Sequence, residues 1–80
     1  MLNIFKIQPL KVEILKNRIR VSRAELRMTQ ADLAEKVSTT RQTIALIEGE
    51  KHCPSTILSI KIARTFGKAV EELFYIGEED

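Results

Sequence analysis

The sequence is poor in the residues that most catalytic and metal-binding proteins need. Cys53 is the only cysteine and His52 the only histidine among its 80 residues. One cysteine excludes an intramolecular disulfide framework, and one histidine leaves no cluster able to bind a metal. Paired carboxylates, a nucleophile with a neighbouring base and a phosphate-binding glycine loop are also missing. These absences predict a cytoplasmic protein that is not an enzyme and uses no cofactor or small-molecule ligand.

Long hydrophobic runs are absent as well. The first fifteen residues, MLNIFKIQPLKVEIL, are apolar but are interrupted by polar or charged residues at positions 3, 6, 8, 11 and 13. A signal-peptide core or a membrane span needs a longer uninterrupted run, so we expect neither export nor a membrane partner. The length fits one domain, which at this size buries only roughly 60% of the surface of the unfolded chain.

Charge is unevenly distributed although the net charge is only +2. Residues 1–27 carry seven basic side chains against two acidic ones, whereas residues 71–80 carry five acidic side chains and no basic one. This polarity favours an anionic partner near one end and a solvated tail at the other. A surface that is merely soluble explains the charges equally well.

Local patterns predict one strand followed by five helical segments. LKVEIL, at residues 10–15, alternates apolar and polar residues with the period of a strand. Helical patterns follow at residues 16–27, 30–37, 41–48, 55–67 and 70–74.

Residues suited to helix ends mark these segments. Thr29, Thr40 and Ser55 stand at expected N-cap positions, and Asp32 can complete a capping box with Thr29. Gly49 stands where a left-handed residue would end the third helix.

The second and third helices are joined by a turn too short for antiparallel packing, so they must cross at a large angle. Ala34 is the small residue that the crossing requires, and the matching core positions are Leu33, Val37, Ile44 and Ile47. With Ile44 and Ile47 inward, the opposite face of the third helix is flat and short-chained. That outward face consists of Gln42, Ala45, Leu46 and Gly49, with Arg41 at its flank.

The segment TQADLAEKVSTTRQTIALIEGEK resembles the helix-turn-helix of the phage-repressor and Cro-type transcription regulators, the xenobiotic-response-element-like family. The similarity continues into NRIRVSRAE before it and PSTILSIKIARTFGKAVEELF after it, covering residues 17–74. The resemblance implies an all-α, five-helix, lambda-repressor-like domain that usually acts as a homodimer and places its third helix in the major groove of double-stranded DNA. Short β-strands at the two ends can add to this fold. We divide the chain into an N-terminal arm (1–16), the helix-turn-helix domain (17–76) and an acidic tail (77–80).

The outward face of the third helix has the chemistry of a groove reader. Gln42 can pair with adenine, Arg41 can reach guanine or a phosphate, and Ala45 and Leu46 can lie against thymine methyl groups. Each assignment has an alternative. Arg41 can be solvated, Gln42 can fold back in a capping box with Thr39, and Leu46 can be a lone exposed residue or part of a dimer surface.

The resemblance also implies contacts to the DNA backbone and one structural ion pair. Residues near phosphates would be Gln30, Thr40, Thr43, Lys51, His52, Ser55 and Thr56. Arg23 would form a partly buried ion pair with Glu48. Cys53 is expected to be half-buried and inert.

The chain departs from the family pattern at three positions. Ser38 replaces the usual glycine of the turn, so we expect backbone strain or a local side-chain hydrogen bond. Ser22 replaces a usual leucine and Leu26 a usual charge, which suggests that the apolar contact has moved along the first helix.

The sequence therefore predicts a sequence-specific DNA-binding regulator, acting as a homodimeric repressor. An antitoxin-like protein-binding module that also binds its own promoter is the alternative, with residues 1–16 as the segment that would order on a toxin. For the dimer, we predict that the strand at 10–15 pairs with LFYIG at 73–77 in a small sheet that buries Phe74 and Ile76 and joins two subunits. The competing model makes residues 1–14 a mobile arm and forms the dimer through the fifth helix.

Overall fold

The computed structural model describes residues 12–79 of the chain. Within this range the elements are, in order, β1 (Val12–Asn17), α1 (Ile19–Glu25), α2 (Gln30–Lys36), α3 (Arg41–Glu48), α4 (Thr56–Thr65), α5 (Val70–Leu73) and β2 (Phe74–Glu79). The predicted five-helix fold with short terminal strands is confirmed. Residues 1–11 of the predicted arm and Asp80 of the tail lie outside the described residues. No helix in the described range is long and apolar enough to cross a membrane.

The helices begin where short polar side chains satisfy their first backbone N–H groups. Thr29 and Asp32 form the predicted capping box, in which each backbone N–H donates to the side chain of the other residue at 3.0 Å. These hydrogen bonds lower the pKa of Asp32 below its ordinary value. Thr40 caps α3 by accepting from the Thr43 N–H at 3.1 Å, and Ser55 caps α4 in the same way from Leu58. The three predicted N-caps are confirmed.

The end of α3 differs from the prediction. Gly49 has φ −80°, and the left-handed residue is Glu50, with φ +61°. The helix continues through Gly49 before it closes with two backbone bonds, from Glu50 N–H to the Ile47 carbonyl and from Lys51 N–H to the Leu46 carbonyl. The prediction that Gly49 supplies the left-handed stop is therefore wrong by one residue.

The core lies where α1, α2, α3, α4 and α5 meet. Its fully buried side chains include Ile19 and Ile62. The predicted core positions of α2 and α3 are confirmed as buried: Leu33, Ala34, Val37, Ile44 and Ile47.

A buried polar contact replaces the apolar contact that was expected to slide along α1. Ser22 is buried, and its Oγ accepts a hydrogen bond from Lys68 Nζ at 3.1 Å. The same ammonium lies 3.3 Å from a carboxylate oxygen of Glu25. Leu26 remains 55% exposed. The prediction that Leu26 compensates for Ser22 is wrong, because Lys68 reaches across from the α4–α5 loop and satisfies the hydroxyl group instead.

The two strands pair within one chain as an antiparallel ribbon. Asn17 is paired with Phe74, Leu15 with Ile76 and Ile14 with Gly77. Phe74 is buried in the core, but Ile76 is 68% exposed, so the sheet of a single chain buries only one of the two side chains expected there. We refer to β1 and β2 together as the ribbon.

Candidate nucleic-acid interface

The outward face of α3 is assembled by burial of its opposite side. Ile44 and Ile47 have essentially no exposed surface. Arg41, Gln42 and Leu46 are exposed, with Leu46 showing 41% of its surface. Ala45, a half-buried residue, lies on the same face. A guanidinium, an amide and two small or apolar groups are thus presented together on a helix whose position the core fixes.

The beginning of α3 leaves the Gln42 amide available. Thr40 is the N-cap, so the third helical residue is Thr43, and the capping box considered for Thr39 and Gln42 does not form. Within residues 12–79 the Gln42 side chain makes no hydrogen bond. The hydroxyl groups of Thr40 and Thr43 lie 2.8 Å apart at the same helix start. One hydroxyl hydrogen is used between them, which leaves the other free to donate to an acceptor outside the chain.

The end of α3 is held by a buried ion pair. The side chain of Glu48 is 2% exposed and that of Arg23 is 15% exposed. Arg23 Nε donates to Glu48 Oε1 and Arg23 Nη2 donates to Oε2 at 3.1 Å, while Nη1 donates to the Met28 carbonyl at 2.9 Å. Burial alone would raise the pKa of Glu48, but the hydrogen bonds from Arg23 and Gln30, with nearby arginine charge, outweigh burial and lower it. Glu48 therefore stays ionised and fixed to α1.

Gln30 joins this network. Its Nε2 donates to Glu48 Oε2 at 2.9 Å. This bond uses one of the two amide hydrogens, so the second remains able to donate to a phosphate oxygen beside α2. The structure thus places Gln30 next to the ion pair, a contact that the sequence did not indicate.

The remaining residues predicted to contact the DNA backbone lie after α3. Lys51 and His52 are exposed in the loop, and Ser55 and Thr56 are exposed at the start of α4. Cys53 is also exposed, and its Sγ lies 3.8 Å from the Pro54 carbonyl oxygen. The prediction that Cys53 is half-buried is wrong, because no core element covers this loop. No group of three or more potential ligands in the described part of the chain could hold a metal ion.

Asn17, which the sequence-based site did not include, contacts the end of α3. Its Nδ2 donates to the Ile47 carbonyl at 2.9 Å, and its Oδ1 accepts from the Ile19 N–H at 3.1 Å. An asparagine just before a helix is a recognised cap signal. The bond to Ile47, thirty residues away, has no such signal in the sequence.

Comparison with known proteins agrees with this geometry. A family model described as helix-turn-helix matches residues 19–73. The chain belongs to the Cro/repressor-type helix-turn-helix family. Relatives named HTH-type transcriptional regulators include one from Archaeoglobus fulgidus, 44% identical over 66 residues, which are 82% of this chain and 94% of the relative. One from Methanocaldococcus jannaschii is 46% identical and YgzD of Bacillus subtilis is 38% identical, each over 66 residues, 82% of this chain and 98% or 100% of the relative.

In this helix-turn-helix protein the motif consists of α2, the turn at residues 37–40 and α3. Ser38 has φ +58°, the left-handed conformation that favours glycine, so the expected strain in the turn is present. The turn is closed by backbone bonds from Ser38 to Glu35 and from Thr39 to Ala34. The second helix of such a motif is its recognition helix, which makes the outward face of α3 the candidate interface.

Proposed function

We propose that this protein is a sequence-specific DNA-binding repressor that works in the cytoplasm as a homodimer and inserts α3 into the major groove of double-stranded DNA. The outward face of α3 is the observation that carries the proposal. Its exposed Arg41, Gln42 and Leu46 have complementary partners on base edges, and the buried Ile44 and Ile47 prevent the helix from rotating away.

Four residues of α3 would read bases. Gln42 would pair with the N6 and N7 atoms of adenine, because its amide offers one donor and one acceptor in the matching geometry. Arg41, at the helix start, would reach guanine or the adjacent phosphate. Ala45 and Leu46 would lie against thymine methyl groups.

Two sets of residues would hold the DNA backbone on either side of α3. One set surrounds the helix starts of the motif: Gln30, Thr40 and Thr43. The other set follows α3: Lys51, His52, Ser55 and Thr56. Such contacts set orientation and contribute affinity without reading sequence. Repression would follow from occupancy of the operator, since the proposal assigns no chemistry to the chain.

The homodimer would form through the ribbon. A two-stranded ribbon is at best marginally stable by itself, and Tyr75 and Ile76 of β2 are 40% and 68% exposed. Pairing with a second copy would cover both and place two recognition helices about 34–36 Å apart, one turn of DNA. The competing arrangement packs α5 against its copy. Deleting residues 1–14 separates the two, because a truncated chain that keeps its dimerisation constant excludes the ribbon.

The function is tested by selecting bound duplexes from a random pool with the full chain. We expect enrichment of a two-fold symmetric site. Affinity for that site should fall steeply as salt rises, since each neutralised phosphate contributes a slope of about −0.9 in a plot of log K against log salt. No enriched sequence, or a flat salt titration, contradicts the proposal.

A further inference from the structure

Three elements meet at the side chain of Asn17. It is the last residue of β1, and its two side-chain bonds connect the ribbon to the start of α1 and to the end of α3. The acceptor of the second bond, the Ile47 carbonyl, belongs to the last turn of the recognition helix. A single amide therefore joins the candidate dimer element to the candidate DNA-reading element.

The base of the ribbon is otherwise fixed to the domain by contacts that do not involve α3. Asn17 is paired with Phe74, which is buried in the core, and the Arg18 N–H donates to the Leu73 carbonyl at 2.9 Å. Arg18 also stacks on the Tyr75 ring, with its guanidinium carbon 4.4 Å from the ring centre. These contacts hold the ribbon onto α1 and α5 but leave its angle to α3 undetermined.

Only weak alternatives to Asn17 connect the ribbon with the end of α3. Within residues 12–79 no other side-chain hydrogen bond runs between β1 and α3. Lys16 Nζ lies 3.9 Å from a carboxylate oxygen of Glu50, just beyond the helix, and both side chains are about one third exposed. Exposed pairs of this kind contribute little. The Asn17–Ile47 bond is therefore the main polar restraint on this angle.

We propose that Asn17 is a positioning residue that fixes the angle between α3 and the ribbon and thereby sets the half-site spacing that the dimer accepts. This inference rests on the proposed function, with the ribbon as the dimer contact. A six-residue strand is about 17–20 Å long, so a rotation of about 10° at its base moves its tip by about 3 Å. That displacement is close to the rise of one base pair, about 3.4 Å. A small change at Asn17 is thus large enough to alter spacing by one step.

The chemistry of the amide allows its two bonds to be separated. Asn17→Asp keeps an acceptor for the Ile19 N–H but has no donor for the Ile47 carbonyl. Asn17→Ser also keeps an acceptor, is too short to reach Ile47 and introduces no charge, so it controls for the new carboxylate. Ser22→Ala is the matched control, because it is neutral and removes a buried polar contact from α1 without touching α3 or the ribbon.

The experiment presents the full chain with duplexes that carry two selected half-sites separated by spacers of every length over one helical turn. The wild type and Ser22→Ala are expected to share one preferred spacing. For Asn17→Ser and Asn17→Asp, we expect the preference for that spacing over its neighbours to fall several-fold while the base preference within each half-site stays unchanged. Thermal melting of all four proteins checks that the comparison is made between folded chains.

Each other outcome has one meaning. If both Asn17 variants keep the wild-type spacing profile, or if they lose half-site base preference as well, Asn17 does not position α3 and the inference is overturned. It is also overturned if neither variant folds, because a positioning residue leaves the domain intact. A wild type that binds half-sites without any preferred spacing removes the inference and the homodimer but keeps DNA binding. A wild type that enriches no sequence removes the proposed function itself.

Discussion

The two ends of α3 are built in opposite ways. At the beginning, Thr40 caps the helix from three residues away, and the next two side chains, Arg41 and Gln42, are exposed. At the end, Glu48 is buried and held by Arg23 and Gln30, and the Ile47 carbonyl is held by Asn17. One end is organised locally and left open, whereas the other is fastened by residues from α1, α2 and β1.

This difference indicates how a domain of this size can keep a rigid reading surface. Ordering a flexible element on binding costs affinity. Polar tethers at the closed end restrain the helix without occupying the face that would meet DNA. The predictions below test whether the closed end governs stability and the open end governs recognition.

The largest effect is expected at the closed end. Arg23→Ala leaves the Glu48 carboxylate buried without its partner, and stranding one member of a buried pair costs about 3–5 kcal/mol. Urea unfolding of the variant and the wild type measures this difference. Arg64→Ala, a change of an exposed arginine on α4, should cost less than about 0.5 kcal/mol. A loss below about 1 kcal/mol for Arg23→Ala, the range of exposed pairs, would show that the two ends do not differ in this way.

Acid should remove part of the same stabilisation. The folded state lowers the pKa of Glu48 below its ordinary value near 4.5. The unfolded chain therefore takes up the proton first, so the contribution is complete above about pH 5 and is lost as the pH falls through the lowered pKa. Glu48→Gln should show a shallower decline of unfolding free energy between pH 5 and pH 3 in denaturant titrations. Equal slopes for the two proteins would argue against a lowered pKa.

At the open end, Gln42→Ala should affect recognition and leave folding unchanged. Loss of a bidentate base contact costs roughly 1–3 kcal/mol on the preferred site and relaxes preference at one position. Lys51→Ala, the comparison variant, should weaken binding to all sequences alike because it removes a phosphate contact. Binding to a library of single-base variants of the site distinguishes them, and identical profiles would contradict the assigned roles.

The smallest effect belongs to the cap. Thr40→Ala removes the acceptor for the Thr43 N–H and should reduce stability by about 1 kcal/mol. Thr39→Ala tests the neighbouring threonine, whose side chain does not cap α3, and should change the unfolding free energy by much less. Thermal unfolding monitored by circular dichroism compares the two. A larger loss for Thr39→Ala would place the cap one residue earlier.

Features set by local sequence were predictable. Thr29, Thr40 and Ser55 cap helices because short side chains next to an apolar pattern have few other roles. The burial of Ile44 and Ile47 follows from helical periodicity and the tight turn. The same periodicity left Gln42 and Leu46 outside, so the candidate interface could be located before its surroundings were known.

Features set by distant contacts were not predictable. The Lys68–Ser22 and Asn17–Ile47 bonds join residues 46 and 30 positions apart, and no local pattern indicates them. The position of the left-handed residue depends on one more turn of backbone hydrogen bonding, so it fell on Glu50 instead of Gly49. The exposure of Cys53 depends on what covers the loop, which is a tertiary property.

The exposed thiol of Cys53 provides a natural spectroscopic ruler. It is the only cysteine of the chain and lies in the loop directly after α3. A nitroxide or a fluorophore can therefore be attached at one known place without introducing or removing any cysteine. In a symmetric pair of chains each copy would carry one label, and the distance between the labels would follow the separation of the two α3 helices in free and DNA-bound protein.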